Sequence, residues 1–164
     1  MKLFIVFISF IFLNIQSIDF NTIRHDYKEA AQDKTKVIAL NTQLTSVTKK
    51  SNVVLVAYKG AGIALKGRYS KKIKYKKQFF IEGVTLVEYA LKIAPNNIEL
   101  RFIRLGIQEN TPKLLKYKGK IVEDKNYILS RFNTVKSLDL KTHIKDYVLQ
   151  SKVFSVEEKK LFLN

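Results

Sequence analysis

From Phe79 to Gln108 apolar residues recur at intervals of three and four, with one interruption at Pro95-Asn96-Asn97. That spacing predicts a helix, a tight turn and a second helix. Phe80, Gly83, Val84, Val87, Ala90, Leu91 and Ala94 share one face of the first helix. Pro95 ends it, because the proline ring clashes with the preceding turn and has no N–H to donate. Asn96 is the expected cap of the second helix, with the Glu99 carboxylate reaching back to free backbone N–H groups. Ile98, Phe102, Leu105, Gly106 and Glu109 continue one face, and the first four of them are expected to pack back on the first helix.

The same periodicity predicts further helices on both sides. Phe20, Ile23, Tyr27 and Ala30 mark one over 19–31, with Asp19 as its cap, and Val37, Ile38, Leu40, Leu44 and Val47 mark another over 34–47. The stretch 52–66 is apolar for most of its length and is broken by Lys59. Its small residues Ala57, Gly60, Ala61 and Ala64 form a stripe at helical spacing that lets another helix approach closely. The β-branched residues at 53–57 would also suit a short strand. Downstream, Thr111 and Pro112 form a helix-start signal for a short helix over 112–118, with Gly119 as its left-handed terminator. Helices over 120–135 and 139–149 follow, and Ser155 with Glu158 is a capping box for a last helix ending near Leu163. The expected fold is all-α: one compact domain over 18–164, of about eight helices in antiparallel hairpins.

Residues 1–17 have the pattern of a signal peptide: a charged start at Lys2, an apolar run of eleven residues from Leu3 to Leu13, and the small Ser17 at the cleavage position. The run is too short to span a bilayer comfortably. Ile15, at the third position before cleavage, fits less well than an alanine would. The expectation is export, to a periplasmic or secreted location. The chain contains no cysteine, which excludes disulfides, thiolate chemistry, Cys-ligated zinc and lipid attachment through a thioether. Of its 164 residues 46% are hydrophobic and 27% charged, the balance of a folded protein. Its net charge of +16 draws it toward acidic partners.

The stretch over 80–106 resembles the tetratricopeptide repeat, which shows an aromatic, an acid next to a small residue, Ala-Leu, and Pro-Asn at the helix junction. Here these are Phe80, Glu82, Gly83, Ala90, Leu91, Pro95 and Asn96, and Phe102, Leu105 and Gly106 resemble the start of a next repeat displaced by one residue. The pattern does not recur at a 34-residue period. The run Ile98-Glu99-Leu100-Arg101-Phe102-Ile103-Arg104-Leu105, followed by Gln108-Glu109-Asn110 and Pro112, resembles an uncharacterised family of small exported bacterial helical proteins. The first resemblance implies a helical hairpin of the kind that binds other proteins, and the second implies the fold and no activity.

Two stretches could bind a ligand. Arg101 and Arg104 lie one turn apart beside an apolar face, with Gln108 close by. Their guanidinium forks suit a carboxylate or phosphate in a groove, or they fasten the hairpin by pairing with Glu82, Glu88 or Glu109. Residues 66–77 carry seven cations in twelve positions, Lys71, Lys72, Lys74 and Lys76 among them, interleaved with Tyr69 and Tyr75. Such a basic rim could meet an anionic membrane surface or an acidic polymer, or simply be solvated. Export argues against nucleic acid as the partner and favours a protein or acidic ligand of the envelope. No catalytic residues emerge: there is no nucleophile elbow, and Lys59-Gly60-Ala61-Gly62 lacks the ending of a phosphate loop. His25 with Glu29, and Asp139 with His143, could each offer two metal ligands, but a site needs three or four. No metal or cofactor is expected, and the reading is a non-enzymatic interaction module.

Overall fold

The Asp19 carboxylate accepts a hydrogen bond from the Thr22 N–H and starts the first helix, α1 (Phe20–Gln32). The computed structural model describes residues 18–163, so the leader predicted over 1–17 lies outside the described residues. Seven more α-helices follow, and the described residues contain no strand. These are α2 (Lys36–Gln43), α3 (Val53–Tyr69), α4 (Ile73–Ile93), α5 (Ile98–Asn110), α6 (Ile121–Arg131), α7 (Leu138–Gln150) and α8 (Val156–Lys160). The fold is therefore all-α, and residues 53–57 are helical, as the length of their apolar run requires.

Several boundaries differ from those expected. Asn97, not Asn96, caps α5: its side-chain oxygen accepts from the N–H groups of Glu99 and Leu100. That leaves the Glu99 carboxylate free for another task. The segment expected as a helix over 112–118 is a single 3-10 turn, Lys113–Leu115. It is closed by Lys116 in the left-handed region at φ 51°, whereas Gly119 has no positive φ. The stretch 120–135 divides into α6 and a 3-10 turn, Phe132–Thr134, and the final helix stops at Lys160, three residues early. Its capping box forms as predicted, with Ser155 and Glu158 each bonding the other's backbone N–H.

Helices α3 and α4 form an antiparallel hairpin across the short link at 70–72, and they touch backbone to backbone. A β-carbon added at Gly60 would lie 2.5 Å from the Gly83 carbonyl oxygen, and one added at Gly83 would lie 2.4 Å from that of Gly60. The small-residue stripe on α3 thus meets the small position of the α4 face, as the sequence suggests. Val87, Ala90 and Leu91 continue the buried face of α4, while Phe80 and Val84 are half-buried at its edge. Helix α5 lies against this hairpin and supplies the centre of the core with Leu100, Ile103 and Leu105, all fully buried. Helices α1 and α2 pack on α3, α6 packs on α5, and α7 packs on α1 and meets α5 where His143 and Tyr147 touch Phe102.

The glycine contact gives a direct test. Gly83→Ala must push two helix backbones apart, and overpacking of this kind costs about 1–3 kcal/mol. At Gly119 nothing lies within 4 Å of an added β-carbon. Gly119→Ala should therefore be neutral or slightly stabilising, by about 0.4–1 kcal/mol. Urea unfolding of the two variants beside the wild type checks the contrast, and equal midpoints would mean the helices do not touch at this point.

Candidate functional site

Arg101, Arg104 and Gln108 all project from α5, as their spacing implies, and all three meet the same buried carboxylate. Asp124, in the first turn of α6, is 0% exposed. One of its oxygens accepts from Arg104 Nη2 at 2.6 Å and from Arg101 Nη1 at 3.1 Å. The other accepts from Arg104 Nε at 2.7 Å and from Gln108 Nε2 at 3.1 Å. Arg104 also reaches Glu88 at 3.1 Å, and Arg101 reaches Glu123 and, at 2.9 Å, the carbonyl of Pro95. Gln108 spends its oxygen on the Lys120 N–H at 2.8 Å. Of the carboxylates the sequence offered to these arginines, only Glu88 is engaged. Glu109 instead accepts from Tyr147, Ser151 and the Lys152 N–H. The forks that could have held an external anion are thus occupied from within, and they join α4, α5 and α6.

A second internal network is centred on Glu99. Arg24 grips its carboxylate with two bonds of 2.8 Å, from Nε and Nη2, and the Tyr58 hydroxyl donates a third at 2.8 Å. Arg24 continues to Asp139 on α7 at 2.9 Å. Burial, and then the adjacent Glu99 charge, push the Tyr58 hydroxyl well above the ordinary phenol range. Tyr58 is therefore a permanent donor.

The basic rim is built differently. Its cations Lys66, Arg68, Lys71, Lys72, Lys74, Lys76 and Lys77 are all exposed. None of them forms an ion pair among the described residues. Some rest on aromatic faces: Lys66 over Phe79 at 5.0 Å, Arg68 over Tyr69 at 5.5 Å, and Lys72 over Tyr75 at 5.9 Å. The two tyrosines have different roles. Tyr69 is half-buried and donates to the Ala31 carbonyl at 3.2 Å, tying the rim to α1. Tyr75 is 45% exposed, beside Ile73 at 82%.

Beneath the rim lies a cavity of about 220 Å³ between α1, α3, α4 and α5, which sequence periodicity could not reveal. Ala61, Leu65, Phe80, Ile107 and Leu115 give it apolar walls, and Arg68 and Lys76 stand among its exposed lining residues. Tyr27, 9% exposed, contributes a hydroxyl with no hydrogen bond among the described residues. Burial raises its pKa to about 12, against a smaller opposing effect of the Arg68 charge. A smaller hollow of about 110 Å³ adjoins the cavity and shares Tyr27, Ala31, Gly106 and Asn110 with it.

The two histidines stand apart. His25 is exposed on α1, with Asp26 and Glu29 close enough to offer three ligand atoms within 4.8 Å of one another. Asp26, adjacent in sequence, is the third group that helical spacing did not suggest. It accepts from Gln43 at 2.7 Å, and Glu29 lies 3.5 Å from Lys36. His143 is buried against the Phe102 ring at 4.9 Å, and its Nε2 has no partner among the described residues. Asp139, its expected companion, is engaged by Arg24.

Two outcomes follow. Asp124→Ala should destabilise the protein by about 3–5 kcal/mol in urea unfolding, because Arg104 is left as a buried charge without its main partner. Burial lowers the His143 pKa from 6.5 to about 4, with Asp139 opposing and Lys28 and Arg24 adding to the effect. The unfolded chain therefore takes up the proton first. The stability gained by keeping His143 neutral is complete above about pH 6.5 and declines toward pH 4, by about 2–3 kcal/mol. In urea unfolding from pH 7.5 to 4.5 the wild type should lose this stability relative to His143→Leu as the pH falls, and a constant difference would refute the assignment.

No protein family, curated relative or solved structure matches this chain, so its function has to be argued from its own geometry.

Proposed function

We propose that this chain is an exported, non-enzymatic helical module of the bacterial envelope that binds an acidic partner through its basic rim, residues 66–77. The observation that carries this reading is the contrast between two populations of cations. Arg24, Arg101 and Arg104 are held by internal carboxylates. The seven rim cations have no acidic partner among the described residues, although they crowd one helix end and the turn before it. Three arginines claim internal carboxylates, whereas seven of the cations without one are gathered on this single surface. Exposed Ile73 and Tyr75 among the lysines favour anionic lipid headgroups as the partner, since amphipathic rings and aliphatic side chains beside basic residues suit a membrane–water interface. The hairpin over 80–106 that resembles a tetratricopeptide repeat fits an interaction module, as analogy only.

Replacing Lys71, Lys72, Lys74 and Lys76 by Gln tests the rim. Stability should change by less than about 0.5 kcal/mol, because these side chains are solvated. Binding to vesicles containing phosphatidylglycerol should weaken at least tenfold, each basic residue near such a surface contributing about 1 kcal/mol. Wild-type binding should fall as salt rises, and the mutant's dependence should be flatter. Equal binding by both proteins across salt concentrations would dispose of the reading. For export, mass spectrometry of the natively produced protein should find its N-terminus near Ile18, and a chain retaining Met1 would remove the envelope from the proposal.

A further inference from the structure

The cavity beneath the rim combines three features. It is walled by apolar side chains, two exposed cations stand in its lining, and the Tyr27 hydroxyl opens into it with no hydrogen-bond partner among the described residues. An apolar hollow of about 150 Å³ holds a benzene ring, so 220 Å³ suits an aliphatic chain of roughly eight to ten carbons. Ligand sites are typically apolar clefts with a few polar groups that fix orientation. Asn110 and Thr111 spend their side-chain donors on the Gly106 and Ile107 carbonyls, and three other groups have donors to spare. Arg68 gives one bond to the Ala31 carbonyl and has further N–H groups to offer, Lys76 has no partner among the described residues, and Tyr27 has a proton but no acceptor. Donors without internal acceptors beside apolar walls call for an anion attached to an apolar chain.

We propose that this cavity binds one medium-chain aliphatic carboxylate, with its tail against Phe80, Ile107 and Leu115 and its carboxylate held by Arg68 and the Tyr27 hydroxyl, and with Lys76 adding charge. A planar carboxylate matches the guanidinium fork. The tail replaces water along an apolar wall, and the head accepts a hydrogen bond from the Tyr27 hydroxyl. Gly106 leaves room at the floor: a β-carbon there would meet Tyr27 and Tyr147 only at ordinary contact distances, 3.9 and 3.8 Å. A larger side chain at 106 would therefore fill the space without crossing backbone. The proposal rests on reading the rim as the outward-facing site, since Arg68 and Lys76 belong to both.

Isothermal titration of the natively produced protein with hexanoate, octanoate, decanoate and dodecanoate tests it. One molecule should bind per chain, with affinity rising about fourfold for each added methylene and levelling off by dodecanoate, when the cavity is full. Tyr27→Phe keeps the ring and removes the donor, and Arg68→Gln removes the fork; each should weaken decanoate about tenfold. Gly106→Leu should abolish decanoate binding while leaving helical circular dichroism and vesicle binding unchanged. Should that variant not fold, the chain-length series and Tyr27→Phe still decide the question. Absence of saturable decanoate binding, or undiminished binding by a folded Gly106→Leu, would overturn the proposal. Vesicle binding without decanoate binding would leave the rim reading standing and remove the cavity. Decanoate binding without vesicle binding would do the reverse.

Discussion

The Glu99 carboxylate is placed where an acid is hardest to keep, between α1, α3 and α5, with 4% of its residue surface exposed. A buried charge is tolerable only when its lone pairs are satisfied and a countercharge is close. Arg24 and Tyr58 meet both conditions, and in doing so they fix the distance between helices far apart in sequence. Asp124 repeats the device on the other side of α5, drawing α6 onto Arg104, Arg101 and Gln108. Hydrophobic burial supplies most of the driving force for collapse but is indifferent to register. These two bidentate pairs make the register specific, because a slip of one residue in α5 would separate each acid from its fork.

Helix existence was largely legible in the sequence, because the long helices present an apolar stripe that solvent forces inward, α3 excepted, which is apolar for most of its length. The close contact of α3 with α4 was also legible, since only small residues at matching positions permit it. Cap identity was not. Asn96 and Asn97 are chemically the same cap, and the choice between them depends on where the backbone leaves Pro95. Lys116 shows the same limit: the chain reverses one turn earlier than Gly119 would suggest, and the left-handed residue falls on a lysine. The polar networks were legible by half. Arg101, Arg104 and Gln108 stand out as a cluster, but Asp124 looks like any acid in a first helical turn. Its burial is a property of the docked pair α5–α6, not of α6 alone. The cavity, assembled from four helices, has no local signature at all, and Tyr27 reads as one more apolar position of α1.

The structure also divides what composition averages. A net charge of +16 suggests a uniformly basic body, yet seven cations among the described residues are drawn into pairs: Arg24, Arg101 and Arg104 with buried acids, Lys28 with Asp146, Lys36 with Glu29, Lys120 with Glu123, and Lys125 with Glu158. Seven of the unpaired cations are gathered where α3 ends and α4 begins. Low-dielectric walls beneath such a patch sharpen its field, so a modest excess spread along the sequence becomes a strong local potential in three dimensions.

The backbone contact of Gly60 with Gly83 bears on the order of assembly. The partners are joined through a short link, so closing this hairpin confines little chain, and loop-closure entropy grows with the length enclosed. The Arg24–Asp139 contact encloses 115 residues and gains nothing until α3 and α5 already stand between its ends. We therefore expect the α3–α4 pair to form early, as a template on which α5 can settle, and the seam between α1 and α7 to close last. Pulsed hydrogen exchange during refolding would show the reverse order if this is mistaken. On that view the seam is also the first to open.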